Sequence, residues 1–107
     1  IAALDATAAS DLPPSSLALL PCHPNPFNPT TTISYELPGP RTVDLSIYDV
    51  TGKRIKRLIA GERVEAGRHR VVWNGGDDAG RAVAAGVYLC RLDVGGRSET
   101  RRMTLMK

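Results

Sequence analysis

The sequence predicts an all-β fold, a sandwich of two antiparallel sheets, on three observations. Apolar and polar residues alternate along several runs, such as TTISYEL at 31–37 and GVYLCRLDV at 86–94. Period two is what a sheet with one buried and one wetted face produces. Turn-forming Gly, Pro, Asn and Asp separate these runs at intervals of about ten residues, the spacing of a sandwich. Finally, the chain of 107 residues is 42% apolar but only 5% aromatic. That suffices for one domain and one modest core, with Trp73, Phe27 and the tyrosines supplying much of its bulk.

Each element follows from local pattern. The first strand is placed at Leu17–Leu20, after the Pro-Pro-Ser-Ser of residues 13–16. The second, Thr31–Leu37, points Ile33, Tyr35 and Leu37 one way and Thr32, Ser34 and Glu36 the other. The third, Thr42–Val50, sets Val43, Leu45 and Ile47 inward against Asp44 and Ser46. A Thr51-Gly52 turn leads to the fourth, Lys53–Ala60. There Ile55, Leu58 and Ile59 also fit a helical template, but the tight turn before and Gly61 after favour a bulged strand. The fifth opens at Gly67 and places His69, Val71 and Trp73 on one face. NGGDDAG (74–80) reads as a long hairpin turn. The sixth, Gly86–Val94, aligns Tyr88, Cys90, Leu92 and Val94. Gly95-Gly96 then turns the chain into the seventh, Ser98–Met106, with Met103 and Leu105 on one side.

Between the first two strands lies PNPFNP, residues 24–29. Pro24, Pro26 and Pro29 fix φ and donate no hydrogen bond, so this segment cannot be a central strand. Asn25 and Asn28 are expected to bond nearby backbone in Asx-turns, and Phe27 to plug the end of the sandwich. The stretch reads as a rigid corner that ends one strand and aims the next. A proline-rich ligand for a partner's groove is the rival reading, disfavoured because so bulky a side chain as Phe27 belongs in a core.

Charge and composition narrow the function. No apolar run approaches the roughly 18 residues of a helical membrane span, so no membrane insertion is expected. Residues 1–52 carry one base and five acids (−4), residues 53–107 thirteen bases and six acids (+7), together +3. A basic half raises nucleic-acid binding, yet the bases alternate with apolar residues and no aromatic stacking set lies among them. They read as a solvated face, and no nucleic acid is expected. Opposed charge on the two halves weakly favours head-to-tail contact between copies. Cys22 and His23 are neighbours in extended chain and point to opposite sides, His69 has no acid at triad spacing, and neither catalysis nor a cofactor is expected. Asn74, Asp77 and Asp78 lack the ordered ligand spacing of a calcium loop, so no metal is expected. The chain opens on Ile1, which reads as a processed or cut product.

Four stretches in order carry a family resemblance: PNPFNPTTTISYELP, VDLSIYDVTGKRI, AGRHRVVWNGGDDAGRAVAAGVYLCRL and TRRMTLMK. Over residues 17–107 the chain resembles the type IX secretion C-terminal sorting domain and its relative, the immunoglobulin-like domain of flagellar hook-capping proteins. The resemblance implies a seven-stranded immunoglobulin-like antiparallel β-sandwich at the C-terminus of a secreted bacterial protein, extracellular or on the outer-membrane surface. In such proteins the outer-membrane secretion machinery reads the module, which is often removed as the cargo is attached to the cell surface. Motif positions are thereby implied for Pro24, Asn25, Pro26, Phe27, Asn28 and Pro29, for Gly86 and Tyr88, and for the tail containing Arg101, Arg102 and Lys107.

Two departures stand out. Cys22-His23 occupies a place where the family often has Asn-Tyr, and Cys90 replaces a usual aromatic. As the only cysteines of an exported chain, Cys22 and Cys90 are expected to form an intramolecular disulfide. It would close a loop of 67 intervening residues (23–89), worth roughly 4 kcal/mol in the chain-entropy model. Two buried free thiols or an intermolecular bridge are the alternatives. Residues 1–16, rich in alanine and serine, lie outside the resemblance and read as a linker from an upstream domain, or as an arm added to a neighbour's sheet edge. The expected function is a non-enzymatic module that sorts or anchors a secreted protein. The alternative is a structural subunit that assembles into an extracellular filament with other copies of itself by donating that arm.

Overall fold

Seven strands form two antiparallel sheets in the computed structural model, which describes residues 17–106. The arm at 1–16 and the terminal Lys107 lie outside the described residues. The strands are β1 (Ala18–Leu19), β2 (Thr31–Leu37), β3 (Arg41–Asp49), β4 (Arg54–Val64), β5 (Gly67–Trp73), β6 (Gly86–Val94) and β7 (Arg97–Leu105). One sheet has the order β1-β2-β5, the other β4-β3-β6-β7. This is the seven-stranded immunoglobulin-like sandwich that the sequence predicts.

The period-two faces account for the core. On β2, Ile33, Tyr35 and Leu37 are buried and the residues between them half-buried. Val43, Leu45 and Ile47 of β3, Cys90 and Leu92 of β6, and Met103 of β7 are wholly shielded from the opposite side. Trp73 ends β5 and packs edge-on against Tyr88, with ring centroids 5.4 Å apart.

Two expectations need correction. β4 does not stop before Gly61 but runs through it to Val64. Its pairing with β3 shifts register three times, and Gly61, at φ +61, donates its N–H to the Asp44 carboxylate at 2.9 Å. The glycine supplies a left-handed residue for a bulge rather than an end. Nor is NGGDDAG a hairpin turn. β5 and β6 belong to different sheets, so residues 74–85 cross between them. The Asp77 carboxylate accepts the N–H groups of Ala79 (3.0 Å) and Arg81 (2.9 Å), while Asp78 accepts from Arg57 of β4 at 3.0 Å. These carboxylates are occupied in shaping and tethering the crossover.

At the β3–β4 turn, the Asp49 carboxylate accepts the hydroxyl (2.6 Å) and N–H (2.9 Å) of Thr51 and the N–H of Lys53 (3.0 Å). The Thr51 hydroxyl foremost, with the N–H groups of Lys53 and Thr51, holds its carboxyl below the usual aspartate range against the opposing effect of desolvation.

Two outcomes are expected. Leu45→Ala, at a fully buried position on a central strand, lowers the urea-unfolding free energy by about 2–5 kcal/mol, whereas Val72→Ala on the exposed face changes it by less than about 0.5. Because the folded pKa of Asp49 is depressed, the stability it contributes is full above the unfolded carboxylate range and lost as pH falls through the folded value. Thermal melts taken below roughly pH 4 should therefore fall less steeply for Asp49→Asn than for the wild type.

Candidate functional site

The proline corner runs beside the last strand of the other sheet. Its entrance is pinched shut by a pair of backbone bonds, His23 N–H to Thr32 O (3.0 Å) and Thr32 N–H to His23 O (2.8 Å). The buried Thr31 hydroxyl adds a bond to Pro24 O at 2.8 Å. The peptide bonds preceding Pro24, Pro26 and Pro29 are cis.

Four hydrogen bonds then join the corner to β7. Asn25 Nδ2 donates to Arg102 O (3.0 Å), and Thr104 N–H donates to Asn25 Oδ1 (3.0 Å). Phe27 N–H donates to Thr104 O (2.9 Å), and Met106 N–H donates to Phe27 O (2.8 Å). Phe27 and Leu105 thus form a parallel bridge. The expected Asx-turn at Asn25 is replaced by a long-range contact for a simple reason. Pro26 has no N–H, and that of Phe27 is already given to Thr104, so no nearby donor remains for the Asn25 side chain.

Phe27 turns inward, as expected, and packs 5.5 Å from Trp73, centroid to centroid. Trp73 in turn donates its indole N–H to Gly76 O at 2.8 Å. Gly86 opens β6 opposite Leu105, and Tyr88 donates its hydroxyl to Ala84 O at 2.6 Å. Pro24–Pro29, Gly86 and Tyr88 therefore gather at one end of the sandwich around the final residues of β7. Gly75 fits there only as glycine, since a Cβ would come 3.2 Å from Pro29 O at φ +77. A shallow cleft of about 310 Å³ opens at the same end, lined by Asn28, Pro29, Asn74, Gly75, Val83 and Leu105.

Arg101 is not part of this cluster. It lies nearer the middle of β7, where its Nε donates to Leu19 O (2.8 Å) while Leu19 N–H donates to Glu99 Oε1 (2.8 Å). Glu99 carries no sequence signal for this role. Its carboxylate and the Arg101 guanidinium occupy both backbone groups of the residue that would otherwise form an open edge at β1. Arg102 is exposed and belongs to the cluster through its carbonyl.

Cys22 and Cys90 are brought together. Both are buried, free thiols in the one hydrophobic core, so the expected disulfide is not formed. The neighbouring Cys90 thiol foremost, with the nearby Arg101 charge, holds the Cys22 thiol below its ordinary value against the effect of burial. The Cys22 thiol and then burial push Cys90 up.

The FlgD Ig-like domain model matches residues 25–95. The chain belongs to the FlgD Ig-like domain family. This is a family of structural, non-catalytic β-sandwich modules. Among solved structures, FlgD from P. aeruginosa is similar at 26% identity and TM-score 0.52, covering 70% of this chain and 58% of that one. PorZ of Porphyromonas gingivalis, an essential bacterial surface component of the type IX secretion system, shares the fold at 24% identity and TM-score 0.57 over 84% of this chain. The alkylpurine DNA glycosylase AlkC of Pseudomonas fluorescens, solved with DNA containing an abasic site analog, does so at 18% identity and TM-score 0.54 over 86%. The FlgD-like domain spans only 12% of the PorZ chain and 30% of AlkC. No curated protein sequence matches it.

Asn25→Ala removes both side-chain bonds to β7 and is expected to lower the unfolding free energy by about 1–3 kcal/mol, since the backbone groups of Arg102 and Thr104 lose their partners. Asn28→Ala, on the cleft rim, is expected to stay within about 0.5 kcal/mol in the same urea titration.

Proposed function

We propose that this domain is a non-enzymatic module that sorts or anchors a secreted bacterial protein at the cell surface, presenting its last strand to the outer-membrane secretion machinery. The carrying observation is the four-bond contact of the proline corner with β7. It holds the C-terminal strand as a rigid rail whose outer side chains stay free. Arg97, Arg101 and Arg102 are all exposed; Arg101 is tied to Leu19, while Arg97 at the start of the strand and Arg102 on its outer face are left for a partner. Recognition then rests on hydrogen bonding and charge complementarity, with no bond made or broken. Membership of the FlgD Ig-like family and kinship in fold with a surface component of the type IX system support this reading. On this reading the chain lies outside the cell or on the outer-membrane surface.

The test is export of a reporter fused ahead of the domain in a bacterium that has a type IX system. The wild-type domain is expected to bring the reporter to the surface or medium, and the double change Arg97→Glu and Arg102→Glu to cut this at least roughly tenfold while the purified domain keeps its Tm. Undiminished export by the double variant would count against the proposal.

One observation favours a second reading, a subunit that builds an extracellular filament by laying residues 1–16 on a neighbouring copy. Among the described residues β5 pairs only with β2, contains no proline and lacks the covers that protect β7 and β1. β4, the edge of the other sheet, is broken by bulges, which discourage pairing. Sedimentation and electron microscopy of the whole chain decide it. Filaments that vanish on deleting residues 1–16 support assembly, and a monomer at every concentration excludes it.

A further inference from the structure

We infer that Cys22 and Cys90 are a dithiol arranged to close into a disulfide between the sheets, by exchange with a disulfide-carrying oxidant, and that closure locks the first strand onto the domain. The inference is independent of the sorting proposal. It rests on where the two sulfurs sit. Cys22 lies in the short link between β1 and the proline corner, on the side of the three-stranded sheet. Cys90 is near the middle of β6, which has β3 on one side and β7 on the other. The chain positions are 68 residues apart (90 minus 22), yet both side chains are buried in the same core, and Arg101, the register partner of Cys90, reaches Leu19, three residues before Cys22.

What the bond would hold is the shortest strand of the fold. β1 contributes only the pairs Ala18↔Glu36 and Leu19↔Tyr35. The bond of Leu20 N–H to Ser34 O, the burial of Leu17 and Leu19 and the side chains of Glu99 and Arg101 complete its attachment. Such a strand frays first. A bond from Cys22 to Cys90 transfers any pull on that segment to β6, inside the four-stranded sheet.

The electrostatics assign the order of steps. Cys22, beside the Cys90 thiol and with Arg101 nearby, is the sulfur more readily deprotonated. It is also the less deeply buried, at 5% exposure against 0%. The Cys22 thiolate attacks one sulfur of the oxidant, whose S–S bond breaks and releases a first thiol once protonated. Cys90 then gives up its proton and attacks the Cys22 sulfur of the mixed disulfide, releasing the second thiol. Two protein thiols are oxidised, one oxidant disulfide is reduced, and both protons end on the oxidant's thiols.

The probe is oxidised glutathione with the purified, fully reduced chain. Expected are a mass lower by about 2 Da, no titratable thiol after denaturation, and a monomer on a non-reducing gel. The oxidised chain should melt on the order of 10–20 °C above the reduced one. Hydrogen exchange should slow at the amides of Leu20 and His23. Cys90→Ala should stop at a stable glutathione adduct on Cys22. The inference is overturned if both thiols stay free, if a covalent dimer or a lasting adduct forms on the wild type, or if oxidation leaves Tm and exchange unchanged. The wild-type comparison stands whether or not the variant folds.

Discussion

An edge strand must have its outward backbone groups satisfied or guarded, and in this domain that constraint falls on β7. The solution is unusual in its material. A segment with three prolines has few N–H groups to offer, and the one at Phe27 goes directly to the β7 ladder. Where proline denies the ladder a donor, the Asn25 side-chain amide provides both a donor and an acceptor, imitating a strand residue. Each such bond contributes on the order of 1 kcal/mol net, and burial of Phe27 roughly 2–3 more. The corner is thus an edge cover with a hydrophobic peg.

The other half of β7 is secured by different chemistry. Glu99 and Arg101 extend from its inner face past the end of the core and bind the backbone of Leu19. One strand therefore closes the sandwich twice, to the corner near its end and to β1 near its middle. Both closures join the two sheets by hydrogen bonds, beside the apolar core between them. They also leave an asymmetric molecule. Among the described residues the margins at β7 and β1 are covered and β4 is bulged, so β5 is the margin left regular. Surface ion pairs such as Arg68 with Glu36, at 2.7 Å and half exposed, add little to stability. They keep the basic outer faces solvated.

Most strands were legible because their burial is one-sided, so residues such as Ile33, Tyr35 and Leu37 declare their face by alternation alone. The inward plug at Phe27 was legible for the same reason of bulk. Glycine was harder. Gly61 can end a strand or bulge it, and the difference lies in the Asp44 carboxylate on the neighbouring strand, which no local pattern reveals. The crossover at 74–85 was misread because a hairpin and a crossover share turn chemistry, and only the sheet joined by β6 tells them apart. Asn25 was misassigned by a local rule when its partners lie 77 and 79 positions away. The clasp of Glu99 on Leu19 left no trace in spacing. The inward face of β6 and the count of cysteines point to Cys22 and Cys90 sharing the core, but they lie there as thiols and not as the expected disulfide.

The central claim is that the proline corner is a working part of the β7 ladder rather than a surface loop. Amide exchange on the folded chain, resolved by residue, tests it most directly. Phe27, Thr104 and Met106 are expected to be protected to within about tenfold of Leu45 in the middle of β3. Exchange of Phe27 and Met106 at the rate of free peptide, with Leu45 still protected, would contradict it.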